Sequence, residues 1–226
     1  LTNVPPHPAD FGTPLTTRIP GTASMLASYL TLTDPVEHLL LTQRGAVQLL
    51  GNHDGYLTEG TGCPRSRLVS SLLEHQARVV RPDQVELLAG LSSQYEEGDA
   101  CFVHGGWEDP RDQYLYRVSA DKLSGAWRYY FSGHTHVQVL ASLGDKTYCN
   151  PGSVGQPRDG DPRAAFALFD GSRIVLQRVA YDIDETVAAM RRAGYDEPRL
   201  WENLYIGAQI GGRIDKVEII EREHTK

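Results

Sequence analysis

Four of the eight histidines of this chain lie in three short segments, each directly after a run of apolar residues. Imidazole nitrogens and amide oxygens are ligands that Mn, Fe, Ni and Zn accept in proteins. Glycine stands beside the histidines, lets the backbone turn sharply and leaves space for a ligand. The pattern therefore predicts a metal site if the three segments converge. The candidate residues are Asn52, His53 and Asp54 in the first segment, His104 in the second, and His134 and His136 in the third.

Each segment alone also has an ordinary structural explanation. A single histidine at the end of a strand, such as His104, is usually a hydrogen-bonded turn residue. His134 and His136 point to the same side only where the backbone is extended, because side chains alternate along a strand. The metal hypothesis therefore rests on all three segments together. The histidines interpreted as structural lie in predicted helices or in the polar tail: His38, His75 and His224.

The elements that position these segments alternate between helix and strand in the first part of the chain, and strands dominate the middle. Helical periodicity and end signals predict helices at 35–44, 64–80, 82–91 and 182–193. Apolar runs bounded by turn residues predict strands at 46–51, 100–106, 127–133, 137–143, 146–150, 164–170 and 173–181. This order predicts an α/β fold, most simply a pair of sheets flanked by helices. In open α/β sheets, ligands bind at the carboxyl ends of the strands, where the three segments lie.

The composition narrows the class of protein. With 226 residues the chain builds one substantial domain or two small ones. A net charge of −7 argues against a general nucleic-acid binder, which usually carries a basic patch. No run of about 18 apolar residues occurs, so we expect no membrane span and a cytoplasmic location. Three cysteines without a C-x-x-C pair are interpreted as free thiols.

The ordered motifs resemble those of the calcineurin-like metallophosphoesterase superfamily, in particular its small bacterial and archaeal phosphodiesterase-like branch. The segments that carry the likeness are 51–54 (GNHD), 103–106 (VHGG), 132–136 (SGHTH) and 149–170 (CNPGSVG and its continuation). The likeness covers about residues 34–216. It implies a four-layer α/β/β/α sandwich of two mixed sheets flanked by helices. We expect this single domain to span 25–226, after an irregular segment 1–24.

The resemblance implies two divalent metal ions (Mn, Fe, Ni or Zn) and hydrolysis of phosphomono- or phosphodiesters by a metal-activated hydroxide. The expected substrate is a small phosphoester or nucleotide-like molecule. The roles that the resemblance implies are as follows: Asn52, His104 and His134 bind one metal, His136 binds the other, His53 acts as the acid at the phosphoryl group, and Asp54 orients His53. Other residues either shape the pocket or are structural: Asn150, Ser153 and Arg158 after the last motif, and Trp107, Tyr114 and Tyr116 as a base-binding wall or as packing.

The chain departs from this family before Gly51, where the family has Asp-x-His and Gly-Asp motifs. Those motifs supply a bridging aspartate, and we find neither. The polar residues available there are His7, Asp10, Asp34 and His38. Two hypotheses follow. The chain is a binuclear hydrolase, or it is a catalytically impaired relative that binds one metal or a phosphorylated ligand.

Overall fold

A computed structural model describes residues 23–25 and 46–221 of the chain. The strands of this part are β1 Ala23–Met25, β2 Gln94–Glu97, β3 Ala100–Val103, β4 Arg117–Val118, β5 Tyr129–Ser132, β6 Gln138–Leu143, β7 Lys146–Pro151, β8 Ala164–Phe169, β9 Ile174–Val179 and β10 Glu218–Ile219. The α-helices are α1 Asn52–Glu59, α2 Arg67–Val79, α3 Pro82–Ala89 and α4 Ile183–Arg192. Short 3₁₀ helices occupy Ala120–Lys122, Pro198–Leu200 and Glu202–Ile206. No helix among these residues is long and apolar enough to cross a bilayer.

A five-stranded mixed sheet with the order β2-β3-β5-β7-β6 positions the histidine segments. Its three central strands β3, β5 and β7 are parallel, and the edge strands β2 and β6 are antiparallel to their neighbours. Parallel strands end at the same edge of a sheet, so the residues that follow β3 and β5 lie side by side. The Gly133 N–H donates to the carbonyl of His104 over 2.9 Å, which joins these two strand ends directly.

A second sheet, with the order β1-β8-β9, packs against the first through an apolar core. Aromatic rings fill this core: Phe102 stacks on Phe131 with centroids 4.5 Å apart, and Phe131 lies 5.1 Å from Phe169. Offset ring packing of this kind adds to the free energy gained by burying apolar area. The core fixes β3 and β5 relative to β8, and thereby fixes the edge at which both strands end.

The other face of the five-stranded sheet carries a second cluster, which includes Tyr130 and Tyr148, both fully buried. The parallel pair β4–β10 covers this side. A third cluster joins the amphipathic helices α2 and α4 through Leu72, Val187 and Met190. Asp182 caps α4 by accepting a hydrogen bond from the Glu185 N–H over 2.9 Å.

The predicted fold class is confirmed: the protein is a mixed α/β fold with a mixed central sheet flanked by helices. In the described strands the second sheet is antiparallel throughout, where the prediction had a mixed one. The predicted strands after residue 100 are present, as are helices α2, α3 and α4. The predicted helix 35–44 lies outside the described residues, and so does segment 1–24 except for the part of β1 that it contains.

Two local predictions differ from the structure. The predicted strand 46–51 forms only one bridge, between Leu49 and Ser92, with the Leu50 N–H donating to the Ser92 carbonyl over 2.8 Å. Strands β1, β2, β4 and β10 were not predicted, because they are short and without clear alternation. Helix α1 was not predicted either. The three cysteines (Cys63, Cys101 and Cys149) are free thiols, as expected.

Candidate metal centre

Three predicted metal ligands meet at the edge of the five-stranded sheet. Nε2 of His104 lies 3.1 Å from Oδ1 of Asn52 and 3.0 Å from Nδ1 of His134. Two ligands bound at about 2.1 Å and at right angles to one another are about 3 Å apart. The spacing of these donor atoms therefore fits neighbouring positions around one transition-metal ion, and the imidazole and amide donors suit such a metal.

A buried nitrogen of His134 has no partner in the described part of the chain. The residue is 3% exposed, and its Nε2 makes no hydrogen bond. Native proteins rarely leave a buried polar atom unsatisfied. Nδ1 of the same ring is the nitrogen that lies beside His104, so an ion bound through Nδ1 would leave Nε2 to another partner. The Tyr114 ring stacks on the His134 ring with centroids 3.6 Å apart, so the orientation of this imidazole is fixed by packing.

A hydrogen bond to a backbone carbonyl fixes the orientation of the His136 ring. Its Nδ1 lies 2.7 Å from the carbonyl oxygen of Gln156, which only accepts hydrogen bonds, so Nδ1 carries the proton. The neutral ring then has its lone pair on Nε2. Metal-binding histidines commonly donate their other N–H to a carbonyl in this way, which fixes both tautomer and ring orientation.

The loop that carries both histidines has an unusual backbone. His134 has φ 61° and His136 has φ 58°, the left-handed region that side chains other than glycine rarely adopt. Strain of this kind clusters at functional sites and persists only where neighbours hold it. Asn150 on β7 is fully buried and donates from Nδ2 to the Gly133 carbonyl over 2.6 Å and to Thr135 Oγ1 over 3.0 Å. Asn150 therefore holds the loop in shape.

His53 and Asp54 lie in the first turn of helix α1, directly after Asn52. The Asp54 carboxylate accepts a hydrogen bond from the Gly51 N–H over 2.9 Å and so caps this helix. That contact gives Asp54 a structural role, and its predicted action on the His53 ring stays a prediction. Burial and, to a smaller extent, the positive charge of Arg158 lower the pKa of His53 to about 4, and the negative charge of Asp112 opposes the shift.

The histidines of the site are neutral at neutral pH. Burial lowers the pKa of His104 to about 4 and that of His134 to about 2, and it lowers the pKa of His136 well below its usual value. The Arg158 guanidinium contributes to the lowering in all three. Neutral imidazoles are the form that binds metal, so no proton has to leave these rings when an ion arrives.

Carboxylates are scarce around this cluster. In residues 46–221 no group of three or more His, Cys, Asp or Glu side chains is arranged to hold a metal ion. Asp112 lies near the histidines, but it accepts a hydrogen bond from Tyr56 and is paired with Arg65 over 2.8 Å and with Arg111. The donor set thus fits one ion, with His136 beside it, and offers no bridging carboxylate in the described residues. The four candidates His7, Asp10, Asp34 and His38 lie outside them.

The segment 104–116 closes one side of the site. Its aromatic residues divide between core and cleft: Trp107 packs against Tyr130 with centroids 4.9 Å apart, whereas Tyr114 stacks on His134 and on Tyr116. Trp107 therefore belongs to the core, not to a base-binding wall. No pattern in the sequence pointed to Asp112, which stands in no recognisable motif. Gln156 lies in the motif segment 149–170, but it holds His136 through its backbone carbonyl, and a backbone contact does not depend on the residue type.

Comparison with known proteins agrees with this architecture. Residues 30–173 match the model of the calcineurin-like phosphoesterase superfamily domain. An uncharacterised protein of Methanocaldococcus jannaschii is 27% identical, with 74% of this chain and 78% of that protein covered. The crystal structure of a metallophosphoesterase from Sphaerobacter thermophilus superposes with a TM-score of 0.66 at 27% identity, over 76% of this chain and 82% of the other.

A structure of a hypothetical protein from Pyrococcus horikoshii shares the fold, with a TM-score of 0.59 at 15% identity over 76% of this chain and 77% of that one. The class of protein is that of the metal-dependent phosphoesterases, as the fold, the ordered motifs and the converging nitrogen and oxygen donors indicate. The chain belongs to the calcineurin-like phosphoesterase superfamily, as the sequence motifs predicted.

Proposed function

We propose that this protein hydrolyses small phosphomono- or phosphodiesters at a binuclear metal site. The observation that carries the proposal is the meeting of Asn52, His104 and His134 at the spacing of neighbouring metal ligands. In this proposal these three side chains hold one divalent ion (Mn, Fe, Ni or Zn), and His136 holds the second. Bound metal ions supply an activated hydroxide and neutralise charge on the phosphoryl oxygens.

Two further groups of the protein act in this proposal: Asn150 holds the metal ligands in place, and His53 supplies a proton. The Asn150 contacts keep the histidine loop rigid, so the donors are in position before a substrate arrives. His53 lies at the same cluster and is neutral in the metal-free protein, since its pKa is about 4. An anionic phosphoryl group beside its ring favours the protonated form, which then donates a proton to the leaving group.

The substrate we propose is a small phosphoester or a nucleotide-like molecule, bound without a membrane surface or general nucleic-acid binding, in the cytoplasm. The stacked pair Tyr114 and Tyr116 has ring centroids 5.4 Å apart and borders His134. Both tyrosines are partly exposed, although Tyr114 already stacks on His134 and has the Arg65 guanidinium 5.1 Å from its ring centre. Contacts to the exposed edges of aromatic rings suit many ring systems, which fits a leaving group with a base or an aryl ring.

A second candidate function follows from the lack of a bridging carboxylate among residues 46–221. Two cations close together repel one another unless an anionic ligand screens them. A catalytically impaired relative would bind one ion through Asn52, His104 and His134, or a phosphorylated ligand without hydrolysis. Metal content distinguishes the two: near two ions per chain supports the hydrolase, and one ion per chain supports the impaired relative.

The test combines metal content with hydrolysis of bis-p-nitrophenyl phosphate in the manganese-loaded protein. We expect His104→Ala to lose bound metal and hydrolysis together. His75→Ala is the matched control, because His75 contacts the Ala193 carbonyl and the Tyr195 ring instead of the site. Unchanged metal content in His104→Ala would contradict the proposed centre, and activity that persists in that variant would contradict the proposed mechanism.

A further inference from the structure

The chain places a buried positive charge beside the histidine cluster, and the proposed metal ligands do not account for it. Arg158 is 8% exposed and lies on the loop that follows β7. Its Nε and Nη2 both donate to the side-chain oxygen of Gln156, over 3.1 Å and 2.7 Å. A neutral amide accepts these hydrogen bonds but contributes no charge.

No carboxylate pairs with Arg158 in the described part of the chain. The neighbouring carboxylates interact with other residues. Asp159 forms an ion pair with Arg178, and Asp215 accepts hydrogen bonds from Tyr116 over 2.9 Å and from Arg213 over 2.7 Å. A buried charge without a partner is costly, so folded proteins rarely keep one that serves no purpose. An anion that enters the cleft would supply the missing charge.

The position of Arg158 directs it toward the proposed reaction centre. The Arg158 N–H donates to the carbonyl of His136 over 3.0 Å, so the two residues are joined through the backbone. The guanidinium charge is also felt by the rings of His53, His104 and His134. The cation therefore lies close enough to the donors to act on them electrostatically, beside the place where the phosphoryl group of a substrate would lie.

The loop around Arg158 is held on several sides. The Asp215 N–H donates to the Arg158 carbonyl over 2.7 Å, and the Gly160 N–H donates to the Gly207 carbonyl over 2.9 Å. The Asp159 carboxylate accepts a hydrogen bond from the Gln138 N–H over 2.8 Å and pairs with the half-buried Arg178. A guanidinium fixed in this way loses little side-chain freedom when it binds an anion.

We propose that Arg158 binds a non-bridging oxygen of the substrate's phosphoryl group. This inference rests on the proposed function for the identity of the anion, and it adds a binding residue that is independent of the metal ligands. The planar guanidinium suits tetrahedral oxyanions, because its N–H groups form parallel hydrogen bonds with two oxygens. Gln156 accepts hydrogen bonds from Nε and Nη2 and so fixes the orientation of the guanidinium, whose other N–H groups are left for the ligand.

The test uses the full chain after removal of metal by a chelator, with inorganic phosphate as the probe at constant ionic strength. Isothermal titration gives the affinity of wild type and of Arg158→Gln. A hydrogen bond to a charged group lost from a buried site lowers affinity by about 10- to 100-fold. Arg163→Gln is the matched control, because Arg163 is an exposed arginine of the same loop and pairs with Asp161 over 2.6 Å.

The expected result is a loss of phosphate affinity in Arg158→Gln only, with manganese binding within about twofold of wild type. A purely structural role through Gln156 would instead disturb His136 and lower manganese binding too, and that outcome would overturn the proposal. Equal phosphate affinity in wild type and Arg158→Gln, an equal loss in Arg163→Gln, or no phosphate binding to wild type would also overturn it.

Arg158→Lys keeps the charge without the planar fork, so its phosphate affinity should lie between those of wild type and Arg158→Gln. If Arg158→Gln does not fold, wild-type affinity in Arg158→Lys would overturn the guanidinium's role. Hydrolysis of bis-p-nitrophenyl phosphate by manganese-loaded wild type tests the proposed function separately. Arg158-dependent phosphate binding without hydrolysis would support this binding residue while the enzyme proposal fails.

Discussion

Replacing Asn150 with alanine tests whether the strained histidine loop is held by one buried side chain. Asn150 donates to the Gly133 carbonyl and to Thr135 Oγ1, and its Oδ1 accepts from the Gly152 N–H over 2.9 Å. Each such hydrogen bond contributes about 1 kcal/mol, so Asn150→Ala should lower the free energy of unfolding by about 3 kcal/mol.

The same substitution should weaken metal binding. The left-handed backbone at His134 and His136 costs about 1–2 kcal/mol per residue, and this strain is released once the contacts of Asn150 are gone. The imidazoles then leave their fixed positions. Loss of a group that orients metal ligands lowers metal affinity by about 10- to 100-fold, which titration with manganese measures directly.

Asn203→Ala serves as the control for this pair of measurements. Asn203 is also buried, and its Nδ2 donates to the Ala208 carbonyl over 3.0 Å, away from the histidines. This variant should lose about 1 kcal/mol in urea denaturation and keep its affinity for manganese. If Asn150→Ala loses less than about 1 kcal/mol, or binds manganese as wild type does, the proposed support of the loop is refuted.

Three further predictions concern protonation, catalysis and metal. The metal-free protein should lose stability as the pH falls from about 6.5 toward 4, because His104 takes up a proton in the unfolded chain but stays neutral in the folded protein. The free energy of unfolding from urea denaturation should be about 1.4 kcal/mol lower at pH 5.5 than at pH 7.5 for each such histidine. Equal free energies at the two pH values would contradict the low pKa values. His53→Ala should lower turnover of bis-p-nitrophenyl phosphate by about 10²-fold while metal content stays the same, and full activity would remove His53 from the mechanism. Manganese at about 100 times its dissociation constant should raise the free energy of unfolding of wild type by about 2.7 kcal/mol and leave His134→Ala nearly unchanged, and an equal increase in both would place the ion elsewhere.

The sequence by itself determined the class of the protein and the candidate residues of its site. Short continuous apolar runs that end at glycine predicted strands β3 and β5, because this pattern is a local property of the chain. The motifs around His104 and His134 then identified the superfamily. Local patterns also predicted α2 and α4, whose apolar faces repeat at helical spacing.

Only the tertiary structure decided how the site is supported and charged. The parallel pairing of β3 with β5 brings His104 within 3.0 Å of His134, and no local pattern specifies a distance between residues thirty positions apart. The hydrogen bonds by which Asn150 holds the histidine loop join residues distant in sequence. The same is true of the surroundings of Arg158, which pairs with no carboxylate among residues 46–221. Burial sets the low pKa values of the histidines, and burial is a property of the packed protein, because it depends on every segment that excludes water from the site.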